Sequence, residues 1–488
     1  MSIRLALARV NYSQLYSVYD GGKTFAERDI LVPYQLLNLA AYVRPAGAEV
    51  RIFDGETDLL TQAALAQQIL DWRPDVVGFT ATTPDSDTTL EVCRLVKAGD
   101  PTLVTVIGGI HATILPEEVA GHRGVDYVVT GDGEKPLADI LQTVQRQGRP
   151  RPADPAAGGK ILRGPRMALA DLPLPAHDLL DYAAYQFSDP TRGRMRTASV
   201  MSTRGCPFDC SFCYHDRRVR YRPVEAFVAE IEHLYRVQGV RYFFVYDDVF
   251  LIHKERVLTI LGALRALGLA DAHFQCQSRA NLTDPEILAA LRATGFVRLT
   301  LGIESGSEEM LQRCSKGITK ADCVAACQRI HEFGLEPRAS FIVGHPYETR
   351  ATAEATIQFA KELELLHANF TVMTPYPGTM VHDMARRGQG LRFAKPEYAT
   401  DWRVYRRWGQ PIIETDELSA DELEQLRERA VTEFYTQDKV FRYYEGLFNQ
   451  GNRSRYFYRP LNFAWQRRFG RDLPFWGQLG DAHLVNPV

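Results

Sequence analysis

The sequence predicts an α/β protein built from two successive parallel sheets, and three observations carry that expectation. Apolar runs of strand length alternate with amphipathic segments of helix length. The alternation occurs twice, the two series separated by a stretch rich in Pro, Gly, Ala and Arg. After the second series the chain turns helical and aromatic.

In the first series IRLALARV, AEVRIFD, PDVVGFTA, LVTVIGG and VDYVVTG read as strands, with VPYQLLNLAAYVR and DTTLEVCRLVKAG as helices between them. This pattern predicts a doubly wound, Rossmann-like domain over residues 1–145, with its ligand at the strand carboxyl ends. Those ends carry the loops GFTATTPDSD, GGIHATILP and TGDGEKP. Residues 146–195 read as a linker, partly flexible and then extended. From about Thr197 six further strands, ending with ASVMSTRGC, VRYFFVYDD, AHFQCQSR, FVRLTLGIES, EPRASFIVG and ANFTVMTPYP, predict a partial (β/α)6 barrel over residues 196–385. Residues 386–488 are expected to be mainly helical.

Composition narrows the function classes. The 488 residues are 45% apolar and 24% charged, with net charge −3 and pI near 6.5, so nothing global points to nucleic acid or an anionic membrane. No run approaches the ~18 apolar residues of a membrane span, and MSIRLALARVNYSQ reads as a first strand rather than a signal peptide. Three of the eight cysteines fall between Cys206 and Cys213, while the others, at 93, 276, 314, 323 and 327, are scattered. That distribution suits reduced thiols in a cytoplasmic protein, not a disulfide framework. Cys323 and Cys327 share one helix face and read as buried small hydrophobes.

The triplet sits in RGCPFDCSFCYHD with Cys-x3-Cys-x2-Cys spacing, in the first strand-to-helix loop of the barrel. Thiolates are soft ligands suited to iron–sulfur clusters. Three of them leave one iron of a cubane open, as an open metal position does elsewhere. The competing structural reading is a zinc site that borrows a remote fourth ligand such as His215.

Cys206, Cys210 and Cys213 in this loop resemble the signature of the radical S-adenosylmethionine (radical SAM) enzymes. The resemblance implies a [4Fe-4S] cluster, S-adenosylmethionine (SAM) on the open iron, and a 5′-deoxyadenosyl radical. Phe212 matches the aromatic position beside the adenine. Tyr246, Asp247 and Asp248 stand where the family carries a Gly-Gly-Glu element facing the SAM amine, a departure from its pattern; an acid there is equally a helix cap. Gln277, Ser278 and Arg279 match a strand end contacting the ribose or carboxylate. Glu304 matches a carboxylate near the ribose, or else serves the fold by pairing with Arg279. FIVGHP matches the glycine-containing strand at the adenine pocket.

The domain in front resembles the cobalamin-binding partner of one radical SAM subgroup, through VGFTATTP, GGIHATILPEE and TGDGEKPL. The implied cobalamin residues are Thr80, Thr82, Thr83, Gly108, Gly109, His111, Gly131, Gly133 and Glu134. His111 is equally read as a loop-ordering histidine. The first-strand loop NYSQLYSVYDGG lacks the cobalt-ligating histidine of many cobalamin proteins. A methylthiotransferase is disfavoured, because only Cys93 lies in this domain.

The resemblance therefore implies a cobalamin-dependent radical SAM methyltransferase acting on an unactivated carbon of a small-molecule substrate, through the radical and methylcobalamin. It also implies a reductase, flavodoxin or ferredoxin as electron donor. The alternatives are a non-methylating enzyme, such as an oxidative porphyrin cyclase or a ring-contracting enzyme, and a non-catalytic cobalamin or metal sensor. Tyr376, Tyr398, Trp402, Tyr405 and Trp408 are candidates for an aromatic pocket or for ordinary core.

Overall fold

A computed structural model describes residues 2–11, 24–25, 30–149, 158–406, 409–479 and 484–485. Most of the loop after the first strand, and Trp408, lie outside them.

The first sheet contains β1 (Arg4–Arg9), β2 (Glu49–Asp54), β3 (Val76–Thr80), β4 (Val104–Gly108), β5 (Tyr127–Thr130) and β6 (Lys160–Arg163). All neighbours are parallel, in the order β2-β1-β3-β4-β5-β6. The strands alternate faces, so Leu5 and Leu7 meet Leu36, Ala40, Leu137 and Ile140. Ala6 and Ala8 join Leu65, Ile69, Val92 and Val96 on the opposite face. Both faces are thereby covered by helices, as a parallel sheet requires. The order reverses between β1 and β3, and that switch point opens a crevice at the strand carboxyl ends.

The second sheet contains β7 (Gln186–Asp189), β8 (Gly193–Val200), β9 (Tyr242–Val245), β10 (His273–Ser278), β11 (Phe296–Glu304), β12 (Glu336–Val343) and β13 (His367–Val372). β8 to β13 pair in parallel in chain order, and β7 adds antiparallel to β8. This is the curled sheet of an incomplete α/β barrel. Its floor, at the amino ends of the strands, is tied by Arg298, whose side chain is fully buried. Arg298 Nη1 donates to Asp189 Oδ2 at 2.5 Å and to Tyr242 Oη at 2.7 Å, and Nε donates to Glu336 Oε2 at 2.8 Å.

The segment joining the sheets is packed where it is described. His177, Tyr182 and Tyr185 are buried. His177 Nε2 lies 2.9 Å from Glu230 Oε1 and Nδ1 lies 2.6 Å from Tyr182 Oη. Arg222 and Tyr34 meet the other oxygen of Glu230, Tyr34 at 3.3 Å. One buried carboxylate thus joins residues from the amino-terminal helix, the connecting segment and the barrel. Three carboxy-terminal helices, Ala420–Tyr435, Asp438–Asn449 and Arg455–Phe469, follow the barrel; the first begins at a Ser419/Glu422 capping box and packs Phe434 against Phe370.

Candidate active site

A cavity of about 400 Å³ opens at the carboxyl ends of the barrel strands. Cys206, Cys210 and Cys213, from the loop after β8, line it together. Arg220 and Tyr221 pair antiparallel with Thr203 and Arg204, closing this loop at its neck. Cys206 N donates to the Asp216 carbonyl at 2.9 Å, and Gly205 takes φ +99°, where a Cβ would strike the Asp216 and Arg218 carbonyls. Burial pushes the Cys213 thiol up to about 12 and raises that of Cys206. Thiolates at these positions therefore need positive charge nearby. Arg279 supplies part of it, with Nη1 3.7 Å from Cys210 Sγ and its guanidinium lying over the Phe208 ring.

The other barrel strands contribute inward-facing residues at period two: Thr300, Gly302 and Glu304 from β11, Ser340 and Ile342 from β12. Phe212, Asp248, Gln277, Ser278 and Arg279 complete the predicted wall. Glu304 does not pair with Arg279; Lys316 Nζ donates to its Oε1 at 2.7 Å, both residues being buried. Burial opposes the lysine's charge, but Glu304 and the Cys210 sulfur outweigh it and hold its pKa above the ordinary value. Nothing in the sequence around Lys316 marks it as a site residue. Ser278 Oγ and Arg279 Nε are buried polar atoms without a protein partner, a wall unfinished until a polar ligand meets it.

Two predicted SAM contacts are placed elsewhere. Asp247 is buried behind the wall, accepting from Ser202 N at 2.6 Å, Ser202 Oγ at 2.5 Å and Thr203 N at 3.2 Å. Burial raises its pKa to about 6 against those hydrogen bonds. Its role is to fix the loop entering the cysteine segment. Tyr246 faces the neighbouring cavity instead.

That second cavity, about 420 Å³, lies at the switch point of the first sheet. Thr80, Gly108, Gly109, Gly131, Gly133 and Glu134 line it as predicted, with apolar Leu7, Leu39, Phe79 and Ile110. From the barrel come Met201, Arg204, Tyr246 and Asp248. Gly109 takes φ +97°, and a Cβ there would lie 2.6 Å from the Ala81 carbonyl, so the chain can pass this close only without a side chain. Asp248 borders both cavities.

Thr82, Thr83 and His111 do not line it. The backbone N of Thr82 donates to Asp85 at 2.6 Å in a helix-capping arrangement. His111 is buried edge-on against Trp402, at 5.4 Å between centroids, with Nδ1 3.3 Å from Thr83 Oγ1. Trp402 Nε1 donates to Glu118, which stands 3.9 Å from His111 Nε2, beyond hydrogen-bond reach. These side chains fasten the carboxy-terminal segment to the amino-terminal domain. Trp402 and Tyr405 are accordingly core, while Tyr376 lines the cysteine cavity and Tyr398 is half-buried. Cys93, Cys276, Cys314, Cys323 and Cys327 are buried and line neither cavity, although Cys314 lies just behind the cysteine loop, its carbonyl accepting from Ser211 N at 3.0 Å.

The donor set fits a cluster better than one ion. Among the described residues, no three His, Cys, Asp or Glu side chains converge as they do around a single metal. His215, the remote ligand of the zinc reading, donates from Nε2 to the Phe208 carbonyl at 2.7 Å. A cubane presents separate irons to separate thiolates, so three cysteines lining one cavity of about 400 Å³ suit it.

Fold and site together define a radical SAM enzyme with a corrin-binding amino-terminal domain. Residues 200–360 match the Radical SAM superfamily and residues 28–141 the B12 binding domain. An uncharacterised methyltransferase of Pyrococcus horikoshii is 32% identical over 420 residues, covering 84% of this chain and 88% of the relative. The anaerobic magnesium-protoporphyrin IX monomethyl ester cyclase of Rubrivivax gelatinosus is 28% identical, over 80% of this chain and 71% of the relative. The radical SAM methyltransferase TsrM of Kitasatospora setae shares the fold at TM-score 0.65 and 17% identity, covering 89% of each chain. The chain belongs to the radical SAM superfamily, among members carrying a B12-binding domain. It is an enzyme whose cofactors are a [4Fe-4S] cluster, SAM and cobalamin.

Proposed function

We propose that the protein is a cobalamin-dependent radical SAM methyltransferase acting on an unactivated carbon of a small molecule. The observation that carries the reading is the shared wall at Asp248, which sets a cavity for radical generation directly against a cavity for the corrin. Relatives named as methyltransferases support it, among them the Pyrococcus horikoshii protein and the hopanoid C-3 methylase of Methylococcus capsulatus, 27% identical over 72% of this chain.

In this reading Cys206, Cys210 and Cys213 hold the cluster, and Phe212, Asp248, Gln277, Arg279 and Glu304 hold SAM. Thr80, Gly108, Gly109, Gly131, Gly133 and Glu134 form the cobalamin bed. When bound, the cofactors supply the electron, the radical and the methyl carrier, chemistry that side chains do not provide. The protein's share is placement and exclusion. Lys316 and Arg279 put two cations beside Cys210, stabilising thiolate charge in a low-dielectric pocket. The apolar lining of Leu7, Leu39, Phe79 and Ile110 keeps water from the corrin side. Tyr246 and Asp248 stand where a substrate would bridge the two cavities. A reductase, flavodoxin or ferredoxin would supply electrons. A cytoplasmic location suits the reduced thiols, and no helix among the described residues is long and apolar enough to cross a membrane.

The cyclase relatives favour a second reading, in which the same cofactors drive oxidation without methyl transfer. Anaerobic reconstitution followed by mass spectrometry of SAM products separates them. Methylation predicts S-adenosylhomocysteine and 5′-deoxyadenosine together; 5′-deoxyadenosine without S-adenosylhomocysteine rejects the methyltransferase.

A further inference from the structure

We propose that Asp132 is a positioning residue that clamps the neck of the cluster loop to the corrin-side loop, coupling cobalamin binding to the cluster. The inference rests on the cofactor assignment above and concerns a residue outside the predicted SAM and cobalamin sets.

Asp132 lies between Gly131 and Gly133, and all three line the corrin cavity. Its carboxylate turns toward the barrel. Arg204 Nη1 donates to Oδ1 at 3.3 Å, Arg220 donates to both oxygens, and Met167 N donates to Oδ2 at 2.7 Å. Arg204 also donates from Nη2 to Glu134 Oε1 at 2.9 Å. Arg204 and Arg220 are the residues paired across the base of the cysteine loop, two positions before Cys206 and seven after Cys213. A single carboxylate therefore grips both strands of the neck from which the three cysteines hang.

Exposed ion pairs contribute little, because water and salt screen them and the side chains lose entropy. This one differs in kind. Side-chain exposure is 12% for Asp132, 15% for Arg220, 21% for Arg204 and 3% for Glu134. Removing the central acid leaves two half-buried guanidinium groups facing each other without their shared partner. The same loop's backbone forms the corrin wall, so a shift in the loop and a shift in the neck are one motion. Linkage then requires that whatever binds one side changes the energetics of the other equally.

The experiment compares reconstituted wild type with Asp132→Asn, Arg204→Lys and Arg220→Lys; Arg220 meets both Asp132 oxygens and lines neither cavity. Hydroxocobalamin affinity is read by equilibrium dialysis with cobalt analysis, and the electron paramagnetic resonance spectrum of the reduced cluster is recorded with and without hydroxocobalamin. Wild type should show a spectrum that changes on hydroxocobalamin binding. Asp132→Asn should bind about tenfold more weakly and lose that spectral response. Arg204→Lys keeps the charge but cannot span Asp132 and Glu134 together, so it should fall between. Arg220→Lys loses the two-oxygen grip without touching either cavity and should do the same, so these two variants carry the comparison should Asp132→Asn fail to fold. A wild-type affinity and response in the variants overturns the clamp. So does weakened binding with an intact spectral response, which would make Asp132 an ordinary corrin contact. Wild type that takes up no hydroxocobalamin rejects the cofactor assignment itself, and the clamp with it.

Discussion

Gly302 illustrates how a single position governs the cysteine cavity. A Cβ there would strike Glu304 Oε1 and lie 2.7 Å from Lys316 Nζ. The buried pair occupies the space that any side chain at 302 would need. Gly302→Ala is expected to splay Glu304 from Lys316 and cost about 1 kcal/mol, since both are ends of flexible chains bordering a cavity into which they can shift. A thermal unfolding midpoint unchanged from wild type would refute that. The residue scale is also where the sequence is most legible. The three cysteines are marked by their spacing, while Phe212, Asp248, Gln277, Arg279 and Glu304 follow only from the family resemblance; one cavity gathers them, and Tyr246 and Asp247 from the same expectation lie outside it. Lys316 is illegible because a lysine twelve residues beyond Glu304 has no local mark of burial. Only the return of the chain after β11 brings it back.

At the scale of the element, the Gly108–Gly109 turn after β4 separates what is legible from what is not. Of the two glycines only Gly109 takes a positive φ, and what it approaches closely is the Ala81 backbone of the neighbouring strand end. Gly109→Ala should introduce about 1–3 kcal/mol of backbone strain and weaken cobalamin retention about tenfold or more, measured by cobalt content after gel filtration. The direction of His111 is not legible, because it is set by Trp402, nearly three hundred residues away. Thr83 turns with His111, whereas Thr82 is held by a local cap, its backbone N donating to Asp85. Burial lowers the His111 pKa from its ordinary 6.5 to about 4, with His122 adding to the effect. Between those values the unfolded chain binds a proton that the folded chain refuses. Stability should therefore fall as pH drops from about 6.5 toward 4 and level off below. His111→Gln should reduce that slope without abolishing it, because buried His345 and His367 add the same dependence, as followed by unfolding midpoints from pH 4 to 8; a slope identical to wild type would assign the acid sensitivity elsewhere.

Taken whole, the molecule is two strand-end cavities pressed together by contacts at several heights. Trp402 reaches Glu118, Asp132 grips the cluster neck, and Glu230 joins three segments. The two alternating series of strands and helices make both sheets legible. Their mutual placement is not, because it depends on pairs such as Tyr34–Glu230 that no periodicity encodes. The barrel floor is a whole-molecule feature too, since Arg298 binds the edge strand β7 to β9 and β12. Arg298→Met should destabilise by about 1–3 kcal/mol, because Asp189 and Glu336 lose their shared cation and keep only Arg192 and Arg338. Denaturant midpoints would measure it, and a loss under 1 kcal/mol would show that water reaches the floor.

The buried Glu230 also bears on how freely this architecture can be cut and recombined. A corrin domain grafted from another protein would have to bring its own phenol to the position of Tyr34. A truncated chain ending before the barrel would strand His177 Nε2 without its acceptor. The connecting segment behaves as a keystone rather than a tether. Chimeras that join the two modules through an interchangeable flexible spacer should therefore express poorly. Junctions placed on the near side of Tyr34, or beyond Glu230, keep the stone in its arch.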